Sequence, residues 1–153
     1  MRLYLDTPVF GAMFDAEPPE RQGTTRMFFQ IANKREDTLF ISDVVLEEVA
    51  RAPAHLRPQL EEVIRQARPL VLPESSETVE LAEAYVAARL VSPKFRDDAR
   101  HVAIASVAAV EALVSWNFKH LVNLRKKRLA HSVNVRLGYH LIDLVSPEEV
   151  LYA

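Results

Sequence analysis

The sequence predicts an α/β fold built on a central parallel sheet of about five strands. Two observations carry this. Short apolar runs alternate with longer amphipathic segments along the chain, the pattern of strands joined by covering helices. The runs are continuously apolar and do not alternate with polar residues, as expected of strands buried on both faces.

In chain order, the strand candidates are Leu3–Leu5, Leu39–Ile41, Leu70–Leu72, Ala112–Val114 and His140–Asp143. Thr7-Pro8 offers an N-cap followed by proline at the first helical position, where its missing N–H costs nothing. Pro18-Pro19 and Glu20-Arg21 mark a surface loop before a helix near 21–35. Ser42 is placed to cap the helix that carries Glu48. Further helices are expected near 54–67, 76–90, 97–110 and 123–136, with a loop around Ser92-Pro93. Ser146-Pro147-Glu148-Glu149 combines a cap, a proline and a capping-box glutamate for a last short helix. No repeat, low-complexity tract or linker divides the chain, so residues 1–153 read as one domain.

Composition narrows the chemistry. The chain has no cysteine, which removes disulfides, thiolate zinc sites and a cysteine nucleophile. With only three glycines, no glycine-rich phosphate loop can form, and P-loop or dinucleotide-binding readings fall away. A net charge of −2 argues against broad electrostatic capture of nucleic acid and leaves room for a local basic patch. The N-terminus reaches Asp6 too early for a signal peptide. No apolar run approaches the roughly 20 residues that span a bilayer. The expected location is the cytoplasm.

Four residues interrupt the apolar pattern where strands end or helices begin. Asp6 follows Leu3-Tyr4-Leu5, Glu48 lies in the helix after the second strand, Asp98 opens a small-residue helix, and Asn117 follows the fourth strand. Buried carboxylates are costly unless paired or bound to a cation. Parallel α/β sheets bind ligands outside the carboxyl ends of their strands, and these placements allow the four side chains to converge there. An all-oxygen ligand set suits a hard cation such as Mg²⁺ or Mn²⁺. Such ions can activate water and stabilise charge on a phosphate undergoing displacement.

Leu5-Asp6-Thr7, Ser42 through Glu48-Val49, Asp98-Ala99-Arg100-His101-Val102-Ala103 and Ser115-Trp116-Asn117-Phe118-Lys119-His120-Leu121 resemble the successive motifs of the PIN-domain ribonucleases. The similarity is greatest to VapC toxins of bacterial toxin–antitoxin pairs, and it runs from Leu3 to Val150. The resemblance implies a three-layer α/β/α fold, endoribonuclease activity on RNA and inhibition by a small VapB-like antitoxin. It implies Asp6, Glu48 and Asp98 as metal-binding acids, with Asn117 completing the catalytic set. Many PIN domains carry aspartate at the position of Asn117; an asparagine keeps a coordinating oxygen and lowers the site's charge by one. A homodimer is also expected, because the 21–35 and 54–67 helices carry more apolar residues than one face can bury.

Several neighbours admit two readings. Glu47 and Asp97 sit next to motif acids but point about 100° away on a helix, as solvated neighbours would. Thr7 either caps a helix or sets its hydroxyl near the metal's water; Ser115 either steadies Asp6 or Asn117 or has no part. His101, one turn after Asp98, is a structural histidine or a phosphate contact, and His120 shares that ambiguity. Trp116 reads as core, and Asn123 and Asn134 as backbone binders. Arg125-Lys126-Lys127-Arg128 is a solvated helix face or a phosphate-steering patch, to which Arg2, Arg96 and Arg100 would add. Two rivals stand beside the ribonuclease. One is a PIN-like scaffold that binds RNA or protein without cutting. The other is a metal-dependent phosphatase or receiver-like domain, weakened by the helical Glu48 and by the lack of a lysine after a final strand.

Overall fold

A strand in the middle of a parallel sheet must be apolar on both faces, and β1 (Arg2–Leu5) meets that demand with Leu3, Tyr4 and Leu5 fully buried. The computed structural model describes residues 1–153. In it β1 lies between β2 (Thr38–Ser42) and β4 (Ala112–Val114), with β3 (Leu70–Leu72) and β5 (Asp143–Val145) at the edges. Every pairing is parallel, in the order β3-β2-β1-β4-β5. Tyr4 stands level with Phe40 on one side and Leu113 on the other.

The chain steps from β1 to β2 through α1 (Thr7–Gly11) and α2 (Pro19–Lys34), then from β2 to β3 through α3 (Asp43–Ala50) and α4 (Arg57–Ala67). Both steps run the same way along the sheet, so right-handed crossovers put these helices on one face. The return from β3 to β4 uses α5 (Ser76–Ala87), a 3₁₀ turn at Pro93–Phe95 and α6 (Arg96–Val107); α7 (Leu124–Leu137) then leads to β5. These steps run the opposite way and cover the other face. Packing follows the same division, with α5 against α6 and α7, and α1, α3 and α4 against one another. A last helix, α8 (Pro147–Leu151), packs on α2. No helix is long and apolar enough to cross a membrane.

The direction of travel reverses between β1 and β4, and a crevice forms at such a switch point. Two hydrogen bonds extend the ladder there: Asp6 N–H donates to the Val114 carbonyl at 3.0 Å, and Ser115 N–H to that of Val145 at 2.8 Å. Asp6 and Ser115 therefore leave the sheet side by side. α3 and α6 meet across the same edge, bringing Glu48 and Asp98 towards it.

The structure moves several expected boundaries. The fifth strand is Asp143–Val145, not His140–Asp143. The backbone before it is already engaged elsewhere: the His140 carbonyl accepts from Asn134 Nδ2 at 2.7 Å, and the Ile142 carbonyl bonds His131 Nε2 at 2.8 Å. α5 and α6 each stop three residues early, because Arg89 (φ 64°) and Ala109 (φ 54°) turn left-handed. The Leu90 and Val110 N–H groups then reach back to Tyr85 and Ala105 and close the ends. Finally, Asp6 rather than Thr7 is the N-cap of α1, its carboxylate accepting the Thr7 N–H. The expected caps at Ser42 and Ser146 are both present.

Candidate metal centre

Asp6 is 2% exposed, and both of its oxygens are held. Oδ1 accepts the Thr7 backbone N–H at 2.9 Å, and Oδ2 accepts the Ser115 hydroxyl at 2.7 Å. Its neighbour Thr7, freed from capping, donates its hydroxyl to Glu48 Oε1 at 3.1 Å. Glu48 Oε1 also bonds His101 Nε2, which lies 3.4 Å from Asp6 Oδ1. Ligand atoms of Asp6, Glu48 and His101 thus gather within 4.8 Å of one another.

His101 is wholly buried and oriented from behind. Its Nδ1 lies 2.6 Å from the Tyr4 hydroxyl, which lies 2.6 Å from Ser42 Oγ. With the ring neutral, Tyr4 donates to Nδ1 and Nε2 carries the hydrogen. With the ring protonated, Nδ1–H donates to the Tyr4 oxygen, and the Tyr4 hydroxyl donates to Ser42 Oγ. In both states an N–H at Nε2 faces the two carboxylates. One turn earlier on α6, Asp98 Oδ2 contacts His120 Nδ1 at 2.9 Å and accepts from Asn117 Nδ2 at 3.5 Å. Asn117 Oδ1 is engaged by the His120 backbone N–H at 2.9 Å, and Ser115 Oγ accepts the Asn117 N–H at 2.9 Å. Ser115 therefore steadies both Asp6 and Asn117.

The electrostatics record the crowding. Burial, and then the charge of Glu48, pushes the Asp6 carboxyl above its ordinary range despite His101, Ser115 and Thr7. Burial and the neighbouring Asp6 raise Asp98 likewise. For His101, burial favours the neutral ring, but the charges of Asp6, Glu48 and Asp98 outweigh it and raise its affinity for a proton. In the two aspartates burial is the chief cause, whereas in His101 the surrounding carboxylates overcome it.

The donor set fits a hard divalent cation. Asp6 and Glu48 supply oxygens at one point, Asp98 lies close enough to raise and be raised by its neighbours, and the His101 N–H already plays the part of a cation between two carboxylates.

The other expected residues fall outside this cluster. Arg100 binds Glu74 at 2.7 Å, Asp97 at 2.9 Å and Glu47 at 3.2 Å, and these contacts hold its proton firmly. Glu47 and Asp97 thus belong to an arginine network beside the site. Arg96 pairs with Glu83 at 2.7 Å. Arg2 bonds the Ala109 carbonyl at 2.9 Å, at the opposite end of β1. Within the basic run, Lys126 Nζ bonds the Leu90 carbonyl and Lys127 pairs with Glu149 at 3.4 Å, while Arg125 and Arg128 line a shallow surface with Leu124 and Leu129. Trp116 is core, its Nε1–H donating to Thr25. Asn123 caps α7, and Asn134 lies buried. The sequence reading missed Tyr4, whose hydroxyl position follows only from the register of β1 against β2, and it overlooked Phe95, whose ring rests on His120.

No family model matches the sequence, and no curated relative does. Among solved structures, the chain is similar to one described as VapBC2 from Rickettsia felis bound to a DNA fragment from their promoter. The TM-score is 0.57 at 13% identity, over 95% of this chain and 98% of that one. The fold is PIN-like. At that identity the likeness speaks for the architecture alone.

Proposed function

We infer that the chain is an Mg²⁺- or Mn²⁺-dependent endoribonuclease, the toxin of a VapBC-type pair. The observation that carries this reading is the convergence of Asp6, Glu48 and His101 within 4.8 Å, with Asp98 adjacent, at the switch point of a sheet whose fold neighbour is a VapBC2 complex. Asp6, Glu48 and Asp98 would hold the cation. When bound, it supplies positive charge against a phosphodiester and activates water. Thr7 and Ser115 orient Asp6 and Glu48, His101 fixes Glu48 from the buried side, and Asn117 and His120 hold Asp98.

The partner reading rests on a cleft of about 710 Å³ lined by Met13, Phe29, Ala32, Leu39, Val63 and Ala67, with Glu36 and Asp37 at its margin. The apolar trough suits the apolar face of an amphipathic segment such as an antitoxin tail. An arginine or lysine of that tail would pair with Asp6 or Asp98, since Asp37 beside the trough is already paired with the Met1 amine and Arg35. A homodimer is proposed on the exposed apolar residues of α2 and α7, among them Met27, Leu124 and Val135; α4, the other helix expected to carry such a face, instead packs Leu60, Val63 and Ile64 on the core.

A second reading, a PIN-like scaffold that binds without cutting, draws on Asn117, whose oxygen is engaged by His120 and whose amide faces Asp98. RNA cleavage by the purified chain in Mn²⁺ decides between them. The nuclease reading expects cleavage that EDTA abolishes, and growth arrest on expression that a co-expressed antitoxin relieves. An intact RNA pool and a harmless chain would establish the scaffold; undiminished cleavage in EDTA would exclude a metal mechanism.

A further inference from the structure

α3 and α6 touch twice, once through the acidic cluster and once beside it. Glu48, Asp98 and His101 face the cluster. The residue before each of them, Glu47, Asp97 and Arg100, joins one ion-pair network. Consecutive helical positions point about 100° apart, so the two contacts lie side by side on the same pair of helices.

Arg100 is the hub of the second contact. Its side chain is 19% exposed, and it takes both oxygens of Glu74, at 2.7 and 2.8 Å, with Asp97 at 2.9 Å and Glu47 at 3.2 Å. Those acids stand on three elements: Glu47 on α3, Asp97 on α6 and Glu74 in the segment after β3. Two further bonds close the frame. Arg51, one turn after Glu47, reaches Asp97 at 3.2 Å, and the Glu74 backbone N–H donates to Asp43 Oδ2 at 3.2 Å. Asp43 is the first residue of α3, so that helix is held at its start, its middle and its end.

Charge pairing alone does not explain this arrangement. One carboxylate neutralises one guanidinium, and an isolated exposed pair contributes little. Here three acids share one rigid, planar guanidinium, and each helical acid is one residue from a carboxylate of the cluster. The gap they span is narrow, since Glu48 and His101 are in hydrogen-bond contact across it. A slide of α3 along α6 would part Glu48 from Asp6 and Asp98, and metal geometry tolerates little displacement of its ligands.

We propose that Arg100 is a positioning residue for the metal centre. By binding Glu47, Glu74 and Asp97 at once, it fixes α3 against α6 and hence Glu48 against Asp6 and Asp98. This rests on the cation reading of that centre. Arg100 bonds none of the three site acids and acts through the helices that carry them.

Position and charge predict opposite signs. A guanidinium near the site repels a cation, and its removal leaves three acids less compensated, so a purely electrostatic role predicts tighter Mn²⁺ binding in Arg100→Gln. A positioning role predicts binding weaker by about tenfold, the low end of the loss when outer partners of a metal centre are removed. Arg100→Lys keeps the charge and loses the planar geometry, and it should weaken binding by more than about twofold. Arg96→Gln is the control. It removes the same charge from α6 but breaks only the pair with Glu83 on α5, so its affinity should match the parent's or exceed it. Affinity is read from the electron paramagnetic resonance signal of free Mn²⁺, well below the melting temperature, on full-length chain shown to be folded by circular dichroism. Lost stability alone lowers the melting temperature and leaves that affinity unchanged. Should Arg100→Gln not fold, Arg100→Lys decides. Parental or tighter binding in the folded Arg100 variants, or an Arg96→Gln variant as weak as they are, overturns the positioning role alone. A parent that takes up no Mn²⁺ overturns the cation reading and the positioning role with it.

Discussion

Two buried polar clusters sit on the same fold and are built on opposite principles. Tyr85, Ser106 and Asn134 join α5, α6 and α7 in a closed ring: Tyr85 donates to Asn134 Oδ1, Asn134 Nδ2 donates to Ser106 Oγ at 3.0 Å, and Ser106 donates to the Tyr85 oxygen at 3.0 Å. The second amide hydrogen of Asn134 goes to the His140 carbonyl. Every group is neutral, and burial pushes the Tyr85 hydroxyl up to about 12, so it stays neutral. At the carboxyl edge, Asp6 and Glu48 meet the His101 imidazole while Asp98 beside them pairs with His120, and burial raises both aspartates. The first cluster is complete without a ligand. The second holds several buried or half-buried carboxylates against two imidazoles, the arrangement the proposed cation would complete.

Removing one charge from the second cluster should have the largest effect. Asp6→Asn keeps the shape and removes a buried anion. RNA cleavage should fall about 10³-fold or more, the scale of losing several kcal/mol of electrostatic stabilisation. The metal-free melting temperature should hold or rise, and a large fall in melting temperature that tracks the lost activity would make Asp6 structural. The matching change in the first cluster is Asn134→Ala, which strands Tyr85, Ser106 and the His140 carbonyl. It should cost about 2–4 kcal/mol, or roughly 5–15 °C of melting temperature at this chain length, with cleavage at low temperature unaffected. A melting curve like the parent's would show the ring to be dispensable.

Next in size is pH. Asp6 and Asp98 hold protons more tightly folded than unfolded, where the ordinary value is 3.8, and His101 does so relative to 6.5. Where the folded state binds more protons, stability falls as pH rises. Without metal, the melting-temperature advantage of Asp6→Asn over its parent should therefore widen from pH 4 upwards and again above pH 6.5. An advantage that shrinks over this window would reverse the sign of the account. Asn117→Asp is the smallest step. It sets a second anion 3.5 Å from Asp98 Oδ2, where the amide now donates. Metal-free stability should drop by up to about 1 kcal/mol, and Mn²⁺ affinity should rise about tenfold. Unchanged affinity in a calorimetric titration would place position 117 outside the metal's reach.

Much of the fold was legible because β1, β2 and β4 are continuous apolar runs and because Ser42 and Ser146 are unambiguous caps. The ends of α5 and α6 were not, since Arg89 and Ala109 adopt the left-handed turn that glycine usually announces. β5 slipped because the His140 and Ile142 carbonyls bond side chains of α7, a tertiary choice with no local signal. At the site, Asp6 and Glu48 meet at the carboxyl edge as their placement after β1 and within α3 predicts, while Asp98 pairs with His120 beside them. The entry of His101 between Asp6 and Glu48 depends on the α3–α6 contact, which no spacing along one helix reveals.

A divalent-cation site at the carboxyl edge should answer to Mn²⁺ titration of the metal-free chain. The parent should bind Mn²⁺ saturably and gain about 2.7 kcal/mol of stability at a concentration one hundred times Kd, while folded Asp6→Asn should do neither. A folded parent that takes up no Mn²⁺ at millimolar concentration, or an Asp6→Asn variant that binds it equally well, would contradict the account.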